Sequence, residues 1–296
     1  MGVDLVPFKT CSYDCFYCQL GRTTHKTTEL REYVPAEGVL DELALKLRLG
    51  PNPDFIGLAG SGEPTLHARI GDIIAGIKRL TSVPVAVLTN GSMLWMPEVR
   101  SAIAEADLVM PSLDAGSESI FERVNRPHPD ISFKKMVDGL VAFGDGFKGK
   151  IWLEVFVLSG ITDQRDEIAR IAAIAKRAGL DRVQLNTVSR PPVEEDAIAA
   201  SAELLEQLRG QFAGFCEVIA EHRPVQPIGP VAGINAELDI VALVSRRPCT
   251  VEGLATGLGL PPNEVVKHLE ALCARGVVRS KRSDNAVFYI QAACRR

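Results

Sequence analysis

Through residues 1–220 the chain alternates short apolar runs with longer stretches in which apolar and polar positions recur at helical spacing. The runs cover residues 3–8, 55–59, 83–88, 108–113, 151–158 and 183–187, and each is nearly continuous in apolar residues. A strand covered on both faces has no polar side to show, so runs of this kind predict buried parallel strands. Amphipathic stretches follow at 36–49, 66–80, 97–106, 117–124 with 133–143, 163–178 and 197–211, and predict helices. Six strands, each followed by helix, predict an α/β fold whose parallel sheet curls into a partial (β/α)6 barrel of the TIM type. Such folds meet their ligands at the carboxyl ends of the strands. The segments just after each strand are therefore where chemistry is to be sought.

The pattern changes beyond Arg223-Pro-Val-Gln-Pro-Ile-Gly-Pro-Val-Ala-Gly233, whose prolines and glycines mark a domain boundary. Helical spacing covers 236–245, then 251–258 with Thr250 as its cap, then 261–275 with Pro261 at its start and Gly276 after its end. Residues 277–280 and 286–290 alternate as a hairpin around Ser283-Asp284-Asn285. The predicted organisation is a first domain at 1–222, a linker at 223–233 and a small second domain at 234–296. Three helices and a two-stranded wing resemble a winged helix-turn-helix domain, with Gly259-Leu260-Pro261-Pro262 as its turn. In a DNA-binding domain of that kind the third helix enters the major groove and the wing touches phosphate. Arg279, Lys281 and Arg282 suit the wing, whereas Asn263, Glu264, Lys267, His268 and Glu270 leave the helix mixed in sign. Winged helices also grip peptides and proteins, so RNA/DNA and peptide/protein partners both stay open for residues 234–296, beside an interdomain or dimer contact.

Charge sharpens this division. The 296 residues carry a formal net charge of −4, but residues 230–296 hold nine Lys/Arg against six Asp/Glu, leaving +3 there and −7 in the remainder. There is no apolar run of about 18 residues and no charged-then-apolar leader, so neither a membrane span nor a secretion signal is expected and the predicted location is cytoplasmic. Seven cysteines in a reducing compartment are not a disulfide framework. Cys216, Cys249, Cys273 and Cys294 stand 33, 24 and 21 residues apart, match no cluster or zinc pattern, and read as small buried hydrophobes.

The other three cysteines lie together in Cys11-Ser-Tyr-Asp-Cys15-Phe-Tyr-Cys18, directly after the first predicted strand. Thiolates are soft donors, and three of them in one short loop can hold three corners of an iron–sulfur cube. No cysteine is near for the fourth corner, which leaves an iron open for chemistry. The competing reading is zinc with His25 as fourth ligand, but structural zinc sites pair their ligands as two separated knuckles and no second knuckle follows. The C-x3-C-x2-C spacing with Tyr17 before the last cysteine resembles the signature of the radical S-adenosylmethionine (SAM) enzymes. The resemblance implies a 4Fe-4S cluster on Cys11, Cys15 and Cys18, with Tyr17 near the adenine of SAM. It further implies that the open iron binds SAM and that an electron, supplied by a flavodoxin or ferredoxin, splits the sulfonium. The resulting 5′-deoxyadenosyl radical takes a hydrogen atom from the substrate.

The other strand ends carry polar residues at the same level. Glycines in Gly60-Ser61-Gly62-Glu63-Pro64-Thr65 let backbone approach a ligand closely. The matching family segment reads G-G-E-P and binds the amino group of SAM, which the resemblance assigns here to Ser61, Gly62 and Glu63. Asn90 ends the third strand in Thr89-Asn90-Gly91, and Ser112 and Asp114 end the fourth on one face by alternation. In the family these positions touch SAM or substrate; Asp114 is equally placed to cap the helix that starts near Ser117. Glu154 shares a face with Trp152 and Phe156, and a carboxylate in such an apolar run needs a partner, either SAM or an internal Lys/Arg. Asn186, on the face of Gln184, is a candidate of the same kind, and Gly160-Ile161-Thr162-Asp163 reads as a turn and cap.

Pro111-Ser-Leu-Asp-Ala115, Val124-Asn-Arg-Pro127, Ser61-Gly-Glu-Pro-Thr65 and Thr89-Asn-Gly91 together resemble the tRNA-modifying 4-demethylwyosine synthases, over residues 1–190. Those enzymes carry a further cysteine set upstream for a second cluster. Only ten residues precede Cys11, so second-cluster chemistry with pyruvate is not expected, and a segment usual in that family is expected to be missing here. The expected function is reductive SAM cleavage acting on an RNA base or a peptide/protein presented by the winged helix. The alternative is an iron–sulfur-dependent DNA-binding regulator without SAM turnover, which would need no strand-end constellation.

Overall fold

The computed structural model describes residues 1–50, 53–219, 235–283 and 286–292. Strand β1 (Gly2–Val3) is followed by two short strands flanking the cysteine loop, β2 (Thr10–Cys11) and β3 (His25–Lys26). The chain continues with α1 (Ala36–Leu49), β4 (Ile56–Leu58), a 3-10 turn at Pro64–Leu66, α2 (Ile70–Leu80), β5 (Val85–Thr89) and α3 (Pro97–Ala102). Next come β6 (Leu108–Pro111), α4 (Glu118–Asn125), α5 (Phe133–Gly146) and β7 (Lys150–Val157). The series closes with α6 (Arg165–Arg177), β8 (Arg182–Thr187), α7 (Ala202–Arg209) and β9 (Cys216–Val218).

Strands β1 and β4 to β9 form one seven-stranded sheet, all parallel, in the order of the chain. A doubly wound sheet reverses its strand order partway; this one advances in a single direction, as a partial barrel requires. The apolar runs form its core: Ile56, Leu58, Val85, Val87, Leu153, Val155 and Leu185 are fully buried. Helix α2 covers the sheet with Ile70, Ile73, Ile74 and Ile77, one apolar stripe at i, i+3, i+4 and i+7.

Two edges differ from expectation. The first run pairs with β4 only at Gly2 and Val3, because Leu5 and Val6 turn into the core and Pro7 has no N–H for a ladder. The seventh strand, β9, was not expected. It is three residues long and interrupted by Glu217, whose carboxylate is held by Arg182 at 3.0 Å and Gln184 at 2.6 Å, a polar edge with no apolar run to announce it.

The proposed linker at 223–233 lies outside the described residues. Beyond it come α8 (Ala236–Arg246), α9 (Val251–Leu258), α10 (Pro262–Ala274) and the antiparallel pair β10 (Val278–Ser283) and β11 (Ala286–Gln291). Thr250 caps α9 as expected, accepting from Gly253 N at 3.1 Å, and Gly259 ends it at φ +66°. These elements bury a core of their own from Ile240, Val244, Leu254, Val265, Leu269, Leu272 and Val278. Of the scattered cysteines only Cys249 is buried; Cys216 and Cys273 are partly exposed, and Cys294 lies outside the described residues. Among the described residues no helix is long and apolar enough to cross a membrane.

Candidate active site

The cysteine loop leaves the sheet through Lys9, held in the left-handed region at φ 61°. Its backbone is pinned on both sides: Lys9 N donates to Ser61 O at 2.7 Å, and Lys9 O accepts from Thr24 N and His25 N at 3.2 and 3.1 Å. His25 is thereby built into β3 opposite Thr10, with an exposed side chain. Within the loop Cys18 N donates to Cys15 O at 3.1 Å, and Thr27 N closes it onto Cys11 O at 3.0 Å.

Each thiol meets an N–H donor from a different place in the chain. Asn90 Nδ2 stands 3.5 Å from Cys11 Sγ, Asn125 Nδ2 3.9 Å from Cys15 Sγ, and Lys9 Nζ 3.2 Å from Cys18 Sγ. Desolvation, with the nearby Glu63 charge, pushes the Cys11 thiol up to about 12. Desolvation, then Cys11 and Cys18, raises Cys15 well above its ordinary value. These thiols hold their protons until a metal displaces them.

The segment after β4 braces this loop. A Cβ on Gly62 would stand 1.8 Å from Thr10 O, so only glycine lets the two backbones meet there, and Glu63 N donates to Thr10 O at 3.1 Å. Ser61 turns away, its N and Oγ both donating to Asp4 Oδ2 at 3.0 and 2.6 Å. The Glu63 carboxylate is buried and fully engaged. It accepts from Thr65 N at 3.0 Å, Thr65 Oγ1 at 2.5 Å, Thr89 Oγ1 at 2.6 Å and Asn90 N at 2.7 Å. Burial nonetheless raises its pKa against those donors. Through Asn90 the carboxylate places a side chain beside Cys11.

On the other side Asp114 accepts from Tyr17 Oη at 2.5 Å, Asn125 Nδ2 at 2.9 Å and Phe156 N at 3.1 Å. Burial outweighs those bonds and pushes its carboxyl up to about 6. It does not cap α4; the N–H of Gly116, just before that helix, donates to Glu167 at 2.6 Å. Tyr17 stacks on Phe156 at 4.0 Å between ring centroids. Among the described residues Glu154 finds neither Lys nor Arg: it accepts from Asn186 Nδ2 at 2.8 Å and Ser112 Oγ at 3.4 Å, uniting the ends of β6, β7 and β8. Of the expected strand-end residues, Glu63 thus meets Asn90, Asp114 meets Tyr17, and Glu154 meets Ser112 and Asn186, whereas Ser61 faces Asp4 instead. Two residues that touch the thiols were not singled out, Lys9 and Asn125. Asn125 lay within Val124-Asn-Arg-Pro127, and its reach to both Asp114 and Cys15 was the missing signal.

Among the described residues no three His, Cys, Asp or Glu side chains converge tightly enough to hold a single metal ion. A lone zinc draws thiolates to about 2.3 Å, whereas separate irons of a cluster accept ligands that stand apart. The three soft thiols, each met by an N–H group, fit the cluster.

The family model described as "Radical SAM superfamily" matches residues 5–172. Over 98% of its length the chain is 38% identical to the GTPase Obg of Brachyspira hyodysenteriae, but it spans only 43% of that protein. It is 30% identical to the UPF0026 protein MJ1312 of Methanocaldococcus jannaschii, covering 98% of this chain and 91% of that one. Among solved structures, Streptococcus suis SuiB bound to its precursor peptide SuiA superposes with a TM-score of 0.57 at 13% identity, over 75% of this chain and 49% of that one.

Proposed function

The chain belongs to the radical SAM superfamily, and from that premise we propose that it holds a 4Fe-4S cluster on Cys11, Cys15 and Cys18 and acts on RNA. When bound, the cluster and SAM supply the electron transfer that splits the sulfonium into methionine and a 5′-deoxyadenosyl radical, which takes hydrogen from the substrate. The reductant is a low-potential flavodoxin or ferredoxin. The chain's own residues prepare the site. Glu63 holds Asn90 against Cys11, and Asp114 holds Tyr17 and Asn125, fixing an aromatic face for the adenine and an amide beside Cys15. Gly62 brings the backbone of its segment against the loop, where the segment would meet the SAM amino group through its main chain, since the Ser61 hydroxyl is bound to Asp4 and the Glu63 carboxylate to Thr65, Thr89 and Asn90. Ser112, Glu154 and Asn186 offer polar contacts for SAM or substrate.

The observation that carries this reading is the thiol triad at the carboxyl end of a parallel sheet, with an N–H donor already on each sulfur. The substrate class rests on the C-terminal elements. We read them as a winged helix-turn-helix whose wing, β10, exposes Arg279, Lys281 and Arg282. None of the three is ion-paired among the described residues, an arrangement suited to phosphate.

The test is anaerobic. The protein is reconstituted with iron and sulfide, given dithionite and SAM, and assayed together for iron, zinc and 5′-deoxyadenosine. About four irons per chain with deoxyadenosine release are expected, both lost in Cys15→Ala. Zinc in place of iron would sink the reading at its first loop. Iron without SAM cleavage would transfer the protein to the alternative class, a cluster-dependent regulator.

A further inference from the structure

Lys9 is 3% exposed, yet among the described residues its ammonium has no carboxylate within ion-pair distance. A buried unpaired cation is costly. The side chain is not there by slack in the chain: the backbone sits in the left-handed region, where a lysine is uncommon, and is tied to Ser61, Thr24 and His25. Its hydrogen-bond partner is the Cys18 sulfur, at 3.2 Å. The other two thiols receive neutral amides, from Asn90 and Asn125. One corner of the triad thus carries a full positive charge and two carry dipoles.

We propose that Lys9 is the built-in counter-cation of the cluster and sets its reduction potential, a role that rests on the cluster reading above. A 4Fe-4S core of charge +2 with three thiolates is a monoanion, and one electron from a low-potential reductant such as dithionite makes it a dianion. A fixed positive charge beside Cys18 stabilises the dianion more than the monoanion, so it raises the potential and eases the electron's entry. Lys9 is therefore a positioning residue for charge and transfers no proton.

The full-length protein is compared with Lys9→Met and Lys9→Arg after anaerobic reconstitution, with iron counted and the cluster titrated against mediators of known potential by electron paramagnetic resonance. At a solution potential fixed near the wild-type midpoint, Lys9→Met is expected to lower the ratio of reduced to oxidised cluster about tenfold, equivalent to about 59 mV for one electron. Lys9→Arg, which keeps the charge, should stay near wild type. If Lys9→Met fails to hold iron, Lys9→Gln takes its place. Loss of iron from both neutral variants, with retention in Lys9→Arg, upholds the counter-cation in stronger form. A neutral variant that holds about four irons and is reduced like wild type overturns the proposal. Wild-type protein that takes up no iron overturns the cluster reading itself, and the role of Lys9 with it.

Discussion

Asp114 shows how much of the site depends on single buried groups. Its carboxylate joins the cysteine loop, α4 and β7 through Tyr17, Asn125 and Phe156, while burial lifts its pKa from 3.8 to about 6. The folded state therefore binds this proton more tightly than the unfolded chain. The associated stability is fully present below about pH 3.8 and is lost as the pH rises through about 6. Asp114→Asn cannot titrate and keeps only one acceptor oxygen for three donors. At pH 7.5 it should cost about 1–3 kcal/mol, and the gap to wild type should widen towards pH 4.5, by on the order of 2 kcal/mol. Urea melts of the reduced, metal-free protein followed by tryptophan fluorescence check this, since of Trp95 and Trp152, its only tryptophans, one follows β5 and the other lies on β7, both in the seven-stranded-sheet part of the chain. A gap that narrows with acid would show that the carboxyl is not raised. The position of Asp114 was legible from strand alternation. Its bracing role was not, because the cap reading looked only at nearby chain, and its partners Tyr17 and Phe156 are 97 and 42 residues away. Lys9 was illegible for a related reason: a left-handed residue obeys neither the strand nor the helix period.

At the scale of elements, buried strands and amphipathic helices were legible because their burial repeats along the chain. Helices α1 and α9 fall within the same limits as the pattern predicts. Contacts between elements leave no such trace, and two glycines mark them. Gly62 meets the Thr10 carbonyl and Gly144, on α5, meets that of Ala178, where an added Cβ would lie 1.8 and 1.9 Å away. Sequence reading gave the glycines after β4 to a ligand, but Gly62 serves first the cysteine loop itself. Gly62→Ala and Gly144→Ala should each destabilise the protein by about 1–3 kcal/mol. Only Gly62→Ala should alter the alkylation rate of Cys11, measured on that peptide by mass spectrometry, because it forces Thr10 away and breaks the bond from Glu63 N. Equal alkylation in both variants would remove Gly62 from the brace.

At the scale of the whole molecule, the two hydrophobic cores share no residue, and the charge divides between them with the positive balance at the C-terminal end. If that end presents RNA, its affinity must carry the mark of phosphate contact: each neutralised phosphate releases counterions, so affinity falls linearly in logarithm with salt. Helix α10 contributes less to this term: its exposed Lys267 stands among Glu264 and Glu270, its His268 lies 3.9 Å from Glu264 and 3.8 Å from Glu237, and the nearby Arg275 is paired with Glu237 at 2.5 Å. The wing carries it. Replacing Arg279, Lys281 and Arg282 with Gln should therefore weaken binding of a labelled RNA and lower the salt slope by roughly two to three. Deoxyadenosine formation from SAM without substrate should stay unchanged, because none of the three residues hydrogen-bonds a thiol or a group that holds one, although Arg279 and Lys281 line a cavity with Gln19, Leu20 and Gly21 just after Cys18. An unchanged slope would move the substrate to the peptide class, whose recognition does not depend on phosphate contact. Loss of both RNA binding and SAM cleavage would instead show that the C-terminal elements complete the catalytic site.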